Sequence, residues 1–273
     1  MKLVFKAEKI SDRVTRIFAF NTELMYLVEG EKWAALLDTG SGFGSLKACV
    51  EALTDKPVVV LLTHGHTDHA LGAAEFEEVW MSPLDEEAYA CHSAKDFRAN
   101  SGAMWPEFGQ LTEEQIIPAL PFETMLPLAA GMRFDLGGVT VESFACPGHT
   151  PGSMAFLIRE ERMLLLGDAC NYMTFLFDEF SIPVAEYKKA LQKLKAKVEG
   201  RYDRVLLSHG DGEGVPDMIE RVIRVCDDVL EGRSDEAPFE FLGTRAVMAK
   251  AVGPDRNRLD GGFGNIVYNK KKA

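Results

Sequence analysis

The sequence predicts an α/β fold built as a four-layer αββα sandwich, and three observations lead there. Strand-like and helical stretches follow one another in the same order twice along the chain. Four apolar runs end in histidine or aspartate, and two facing sheets with helices outside both would bring those ends to one rim. With 273 residues, of which 47% are hydrophobic and 26% charged, the chain can bury one substantial core or two closely merged halves. It is read as one domain spanning residues 1–273.

In the first half, residues 3–10, 13–20, 24–29 and 33–38 have the alternating or continuous apolar pattern of successive strands. Residues 45–53 read as a helix, and Val58-Val59-Val60-Leu61-Leu62 as a buried strand. Residues 83–121 read as an insertion of two or three short helices that would cap a cleft. Its side chains Phe97, Met104, Trp105, Phe108 and Leu111 either line a substrate pocket, with Trp105 as the aromatic anchor, or pack the cap on the sandwich. The second half repeats the order, with strands near 132–135, 139–145, 154–159 and 163–167, a helix over 184–198 and a strand at 204–208. An amphipathic helix over 216–230 follows. A C-terminal extension, 238–273, carries strand-like stretches at 241–248 and 264–268, separated by Gly261-Gly262-Phe263-Gly264.

Ligand chemistry gathers at the strand ends. Directly after the run 58–62 comes Thr63-His64-Gly65-His66-Thr67-Asp68-His69, in which four of seven residues are ligand types for a borderline divalent ion such as zinc. Side chains one and two residues apart on a tight turn can diverge toward two ions rather than crowd one. His149 stands in Cys146-Pro147-Gly148-His149-Thr150-Pro151-Gly152-Ser153 after one strand, and His209 in Ser208-His209-Gly210 after another. Met163-Leu164-Leu165-Leu166-Gly167-Asp168 ends a further apolar run in an aspartate. The sixth histidine, His92, falls in the insertion and reads as structural or surface.

In chain order, His-x-His-x-Asp-His, a histidine in Pro-Gly-His-Thr-x-Gly, then Gly-Asp and Ser-His-Gly resemble the metallo-β-lactamase superfamily of hydrolases across residues 38–210. The resemblance implies that His64, His66 and His149 hold a first metal ion, that Asp68, His69 and His209 hold a second, and that Asp168 bridges the two. An aspartate at 168 is similar to the glyoxalase II, lactonase and phosphodiesterase branches rather than to the secreted β-lactamases. Leu37-Asp38-Thr39-Gly40 matches a further signature, whose aspartate supports the histidine loop from behind. Asn171, Tyr172 and Thr174 follow Asp168 closely enough to reach a substrate oxygen, as a tyrosine does in the lactonases, or to serve as ordinary packing.

Composition narrows the partners. A formal charge of −12 works against nucleic acid, and Lys270-Lys271-Lys272, the one basic run, reads as a solvated tail. No apolar run suits a signal peptide or a membrane span, so a cytoplasmic protein is expected. Five cysteines without a Cys-x-x-Cys pair read as free thiols, with Cys146 and Cys170 as small packing residues. Gly40-Ser41-Gly42-Phe43-Gly44 lacks the third glycine of a dinucleotide loop and the Walker lysine, and no Gly-x-Ser-x-Gly elbow occurs.

Seven ligand-type residues are too many for one site, so two divalent ions per chain are expected, zinc first, with iron or manganese as substitutes. Two ions about 3.5–4 Å apart share a water and lower its pKa to near 7, so the bound hydroxide serves as nucleophile without a side-chain base. Asp68 would pass the proton to the leaving group and Asp168 would fix the intermetal distance. The expected reaction is hydrolysis of a small-molecule ester-type bond, thioester or lactone ahead of phosphodiester. A small-molecule phosphodiesterase is the alternative within hydrolases. An iron-dependent oxidoreductase such as a sulfur dioxygenase is the alternative of another class.

Overall fold

Side chains alternate across a strand, so a strand buried on both faces feeds two cores at once. The computed structural model of the protein describes residues 5–19, 23–105 and 108–273; the predicted strand positions 3, 4 and 20 and insertion positions 106 and 107 lie outside them. β1 (Lys6–Lys9), β2 (Val14–Phe18), β3 (Leu24–Glu29) and β4 (Ala34–Leu37) are antiparallel neighbours. α1 (Leu46–Leu53) starts at Ser45, whose hydroxyl accepts from Ala48 N, and returns the chain to β5 (Val58–Leu61), parallel to β4. The short α2 (Thr67–Ala70) leads to β6 (Glu78–Met81), then to α3 (Glu86–Ser93) and α4 (Lys95–Gly102) of the insertion, and to β7 (Leu126–Pro127). The seven strands form one sheet in sequence order.

The second half opens with β8 (Arg133–Asp135), β9 (Thr140–Ala145), β10 (Met154–Ile158) and β11 (Met163–Leu165), again antiparallel. β12 (Thr174–Leu176) leaves this sheet, and α5 (Val184–Val198) returns the chain to β13 (Arg204–Leu206), parallel to β11. β14 (Glu213–Gly214) and α6 (Met218–Leu230) follow. The second sheet has the order β14-β13-β11-β10-β9-β8.

Three apolar cores separate four layers. Tyr26, Val28, Leu37, Val59 and Leu61 of the first sheet meet Val141, Phe156, Ile158, Leu165 and Leu206 of the second. Their strand neighbours Met25, Leu27, Leu36 and Val60 face the other way, onto Leu46 and Val50 of α1 and Tyr89 of α3. Leu157, Leu164 and Val205 face Tyr187, Leu191 and Leu194 of α5 and Val222 of α6. Each fully buried Leu or Ile contributes roughly 1.5–3 kcal/mol, so the period-two pattern holds each strand in register. This is the αββα sandwich that the sequence predicts.

The extension departs from expectation. The stretch 241–248 is not one strand: β15 (Ala237–Phe241) and β16 (Thr244–Met248) form a hairpin. Leu242 and Gly243 turn between them with φ of 48° and 78°, the paired positive angles of a tight hairpin turn. β17 (Ile266–Tyr268) joins them, and the third sheet has the order β12-β17-β16-β15. Nor is Lys270–Lys272 wholly a solvated tail. It is a 3-10 turn whose Lys272 Nζ donates to the carbonyls of Asp178, Glu179 and Ser181, because three carbonyls converge where an ammonium has three donors to satisfy. Among the described residues no helix is long and apolar enough to cross a membrane.

Candidate metal centre

Five strand ends meet at one rim. β5 delivers His64, His66, Asp68 and His69, β9 delivers His149, β11 Asp168 and β13 His209, while β4 ends in Asp38. Asp38, at φ 64°, accepts from Thr63 N (2.7 Å) and Thr63 Oγ1 (2.8 Å), and its Oδ2 lies 2.8 Å from His69 Nδ1. It thus fastens the histidine loop from behind, the role implied for it.

These contacts fix the imidazole tautomers. Thr63 Oγ1 commits its proton to Asp38, so it accepts the His64 Nδ1–H at 3.0 Å. His69 Nδ1–H donates to Asp38, and His149 Nδ1–H donates to Phe175 O at 2.7 Å. Each of these Nε2 atoms is thereby turned into the rim. The Nε2 atoms of His64, His66, His69 and His149 are buried and have no hydrogen-bond partner. Buried nitrogens without partners carry a desolvation cost that a cation would offset, so these residues fit a divalent metal.

Among the described residues three groups have their ligand atoms within 4.8 Å of one another: His64, His66 and His149; His64, His69 and Asp168; and Asp68, His69 and His209. Asp168 Oδ2 stands among them, 3.5 Å from His69 Nε2, 3.8 Å from His149 Nε2 and 3.2 Å from His209 Nε2. Asp68 Oδ2 is 3.6 Å from His69 Nε2 and 3.5 Å from His209 Nε2. All seven sequence-predicted ligands therefore converge.

Charge is shared accordingly. Burial and the neighbouring imidazoles hold His64 and His66 well below the usual imidazole range. Burial opposes protonation of His69 too, but Asp68 and Asp38 overcome it and raise the group well above that range. His209, half-buried, is lifted to about 9 by Asp168 against the desolvation it meets. Burial would raise Asp168, yet His209 and His69 hold it well below the usual carboxylate range. Metal-free, the centre balances carboxylates with imidazolium; a bound cation would displace those protons.

Several neighbours escaped sequence reading. Asp85 is fully buried and accepts from Gly65 N (2.9 Å) and Thr150 Oγ1 (2.8 Å) through Oδ2 and from Gly152 N (2.6 Å) through Oδ1, tying the two histidine loops together. Asp178 Oδ2 lies 3.8 Å from His66 Nε2. Glu23, held by the Ser41 hydroxyl, is pushed up to about 8 by burial and by the charge of Asp68. No local pattern marks these acids; only the fold brings them in. His92 is not a surface histidine: its ring stacks on His66 at 3.9 Å and 8°, because α3 packs its last turn over the loop.

The suggested substrate residues divide. Asn171 Nδ2 donates to Asp168 Oδ1 at 3.2 Å, so it orients that ligand. Tyr172 flanks the residue after His209, where a Cβ on Gly210 would lie 3.4 Å from its hydroxyl. Thr174 is fully buried and its hydroxyl accepts from Asn171 N, which makes it packing. Cys146 and Cys170 are buried, with thiols pushed up by burial, consistent with inert packing. In the cap, Trp105 sits half-buried in the turn after α4 and makes no ring contact with the ligand residues among the described ones. Phe97 approaches instead, its ring 4.1 Å from that of His92, while Phe108 packs on Phe43 at 5.3 Å.

A layered α/β sandwich with histidine and aspartate clusters at its strand ends presents a candidate divalent-metal site. The family model of the metallo-beta-lactamase superfamily matches residues 20–209, and the chain belongs to that superfamily. Hydroxyacylglutathione hydrolase GloC of Haemophilus influenzae is 25% identical over 201 residues, which cover 72% of this chain and 88% of that protein. Lactamase-like protein vrtG of Penicillium aethiopicum is 31% identical over 202 residues, 69% of this chain and about half (54%) of that protein's length. Among solved structures, a metallo-beta-lactamase from Pontibacter korlensis superposes with a TM-score of 0.61 at 18% identity, over 82% of this chain and all of that one. At that identity the likeness shows the fold.

Proposed function

We propose that the chain is a dinuclear metal hydrolase, with zinc as the resident ion, acting on a small-molecule thioester or related ester in the cytoplasm. The observation that supports it most is the place of Asp168 Oδ2, within 3.8 Å of imidazole nitrogens from both expected sites. His64, His66 and His149 would hold one ion, Asp68, His69 and His209 the other, and Asp168 both. Such a pair supplies Lewis acidity toward the substrate oxygen and an acidified water. The side chains do the rest. Asp38, Thr63 and Phe175 O aim the imidazoles, and Asn171 holds Asp168 in one rotamer. Asp68, whose side chain is 36% exposed beside the buried ligands, faces the cleft and can carry a proton from water to the leaving group at its Oδ1.

The thioester preference draws on the relative named as a hydroxyacylglutathione hydrolase and on leaving-group chemistry. A thiol with a pKa near 8.5 departs with little help from an acid, unlike an alkoxide. The test is a panel of acyl-thioesters, lactones and an aryl phosphodiester, assayed with metal-quantified protein. Highest kcat/KM on a thioester, loss after chelator dialysis, recovery with zinc and full activity of Cys170→Ala support the reading. Preferred turnover of the phosphodiester, or oxygen consumption with iron-loaded protein, would replace it.

A further inference from the structure

The loop between β12 and α5 is gripped from two sides. On its inner side it holds the metal centre. Ile182 N donates to Gly148 O at 3.0 Å and the Ser181 hydroxyl lies 3.0 Å from His149 O, beside the bond that Phe175 O, in β12 just before the loop, accepts from His149 Nδ1–H at 2.7 Å. Ser181 also fixes Asp178, its N donating to Asp178 Oδ1 at 2.7 Å, while Asp178 Oδ2 faces His66. On its outer side the extension holds the loop. Lys272 Nζ donates to Asp178 O (2.7 Å), Glu179 O (3.2 Å) and Ser181 O (2.6 Å), so all three ammonium donors are spent on one turn of backbone. β17 pairs in parallel with β12 and brings the 270–272 turn to this place. Lys270, by contrast, is exposed and pairs with Glu236.

We infer that Lys272 is a positioning residue for the metal centre: it latches the 177–182 loop and thereby holds His149 and the approach of Asp178 to His66. The inference rests on the metal-centre reading above. Charge alone predicts the opposite effect, since removing a cation near a cation site favours metal binding. A loss of affinity on removing Lys272 therefore reports geometry.

The experiment is zinc titration of the full chain in competition with a chromophoric chelator, on wild type, Lys272→Met, Lys272→Gln, Lys270→Met and Ser181→Ala. Removing a support of a metal-binding imidazole typically weakens affinity by about 10–100-fold. Lys272→Met is expected to weaken the tighter site by about tenfold or more, Lys272→Gln by less, and Lys270→Met by no more than about twofold. Ser181→Ala is expected to weaken it as well, and the double variant Lys272→Met/Ser181→Ala less than the product of the two singles, because both act through one loop. Unchanged or tighter binding by Lys272→Met overturns the latch; Lys272→Gln decides if the Met variant does not fold. Equal losses in Lys270→Met and Lys272→Met overturn it too. Absence of zinc binding by the wild type would strike the metal-centre reading itself, a separate failure.

Discussion

Asp85 shows how much of a metal centre is built from residues that never touch the metal. Two backbone N–H donors and one hydroxyl converge on its carboxylate, and Asp85→Ala would leave both amides buried without an acceptor. Each such orphan costs about 1–3 kcal/mol. The variant is expected to lose about 2–4 kcal/mol in chemical denaturation and to bind zinc more weakly, with Asp85→Asn between the two. A denaturation midpoint equal to wild type would contradict this. Glu23 gives a pH signature. Its pKa is raised to about 8 by burial, so the metal-free fold gains its contribution below the unfolded carboxyl value of 4.5 and loses it as pH rises through 8. The melting temperature of metal-free protein should therefore fall between pH 5 and 8, and fall less in Glu23→Gln, which keeps an acceptor for Ser41. Parallel pH profiles would refute it. At this scale the converging histidines and aspartates were legible in the sequence because they cluster in four short motifs. Asp85, Asp178 and Glu23 were not, because nothing near them in the chain announces what they meet.

Elements were legible where one period ran unbroken. The helix expected over 184–198 is α5 itself, since Val184, Tyr187, Leu191, Leu194 and Val198 keep a helical stripe buried. The 241–248 stretch misled because its flanks are strand formers and a single Gly243 gives little sign of a turn; Leu242 supplies the other positive φ. The cap was legible as short helices but not in its contacts, which depend on how α3 and α4 settle on the loop. Phe97 packs on His92, which stacks on His66, so Phe97→Ala is expected to raise KM by about tenfold at constant metal content. Steady-state kinetics on the best substrate decide this; an unchanged KM with a lowered melting temperature would make Phe97 packing.

For the whole molecule, the four layers follow from alternation and length, and the rim follows from parallel pairs β4–β5 and β11–β13, which point several strand ends the same way. What sequence pattern could not place is the third sheet, whose strands come from residues far apart in the chain, β12 at 174–176 and β15 to β17 beyond 237. That sheet brings a lysine to the loop that braces His149. The central claim is that the converged ligands hold two ions through a shared Asp168. It is tested most directly by the metal content of chelator-free protein, measured by elemental analysis at saturating zinc for wild type and Asp168→Asn. Close to two ions per chain in the wild type, falling toward one with a sharp loss of hydrolysis in Asp168→Asn, is the predicted result; a wild type that saturates at one ion would contradict it.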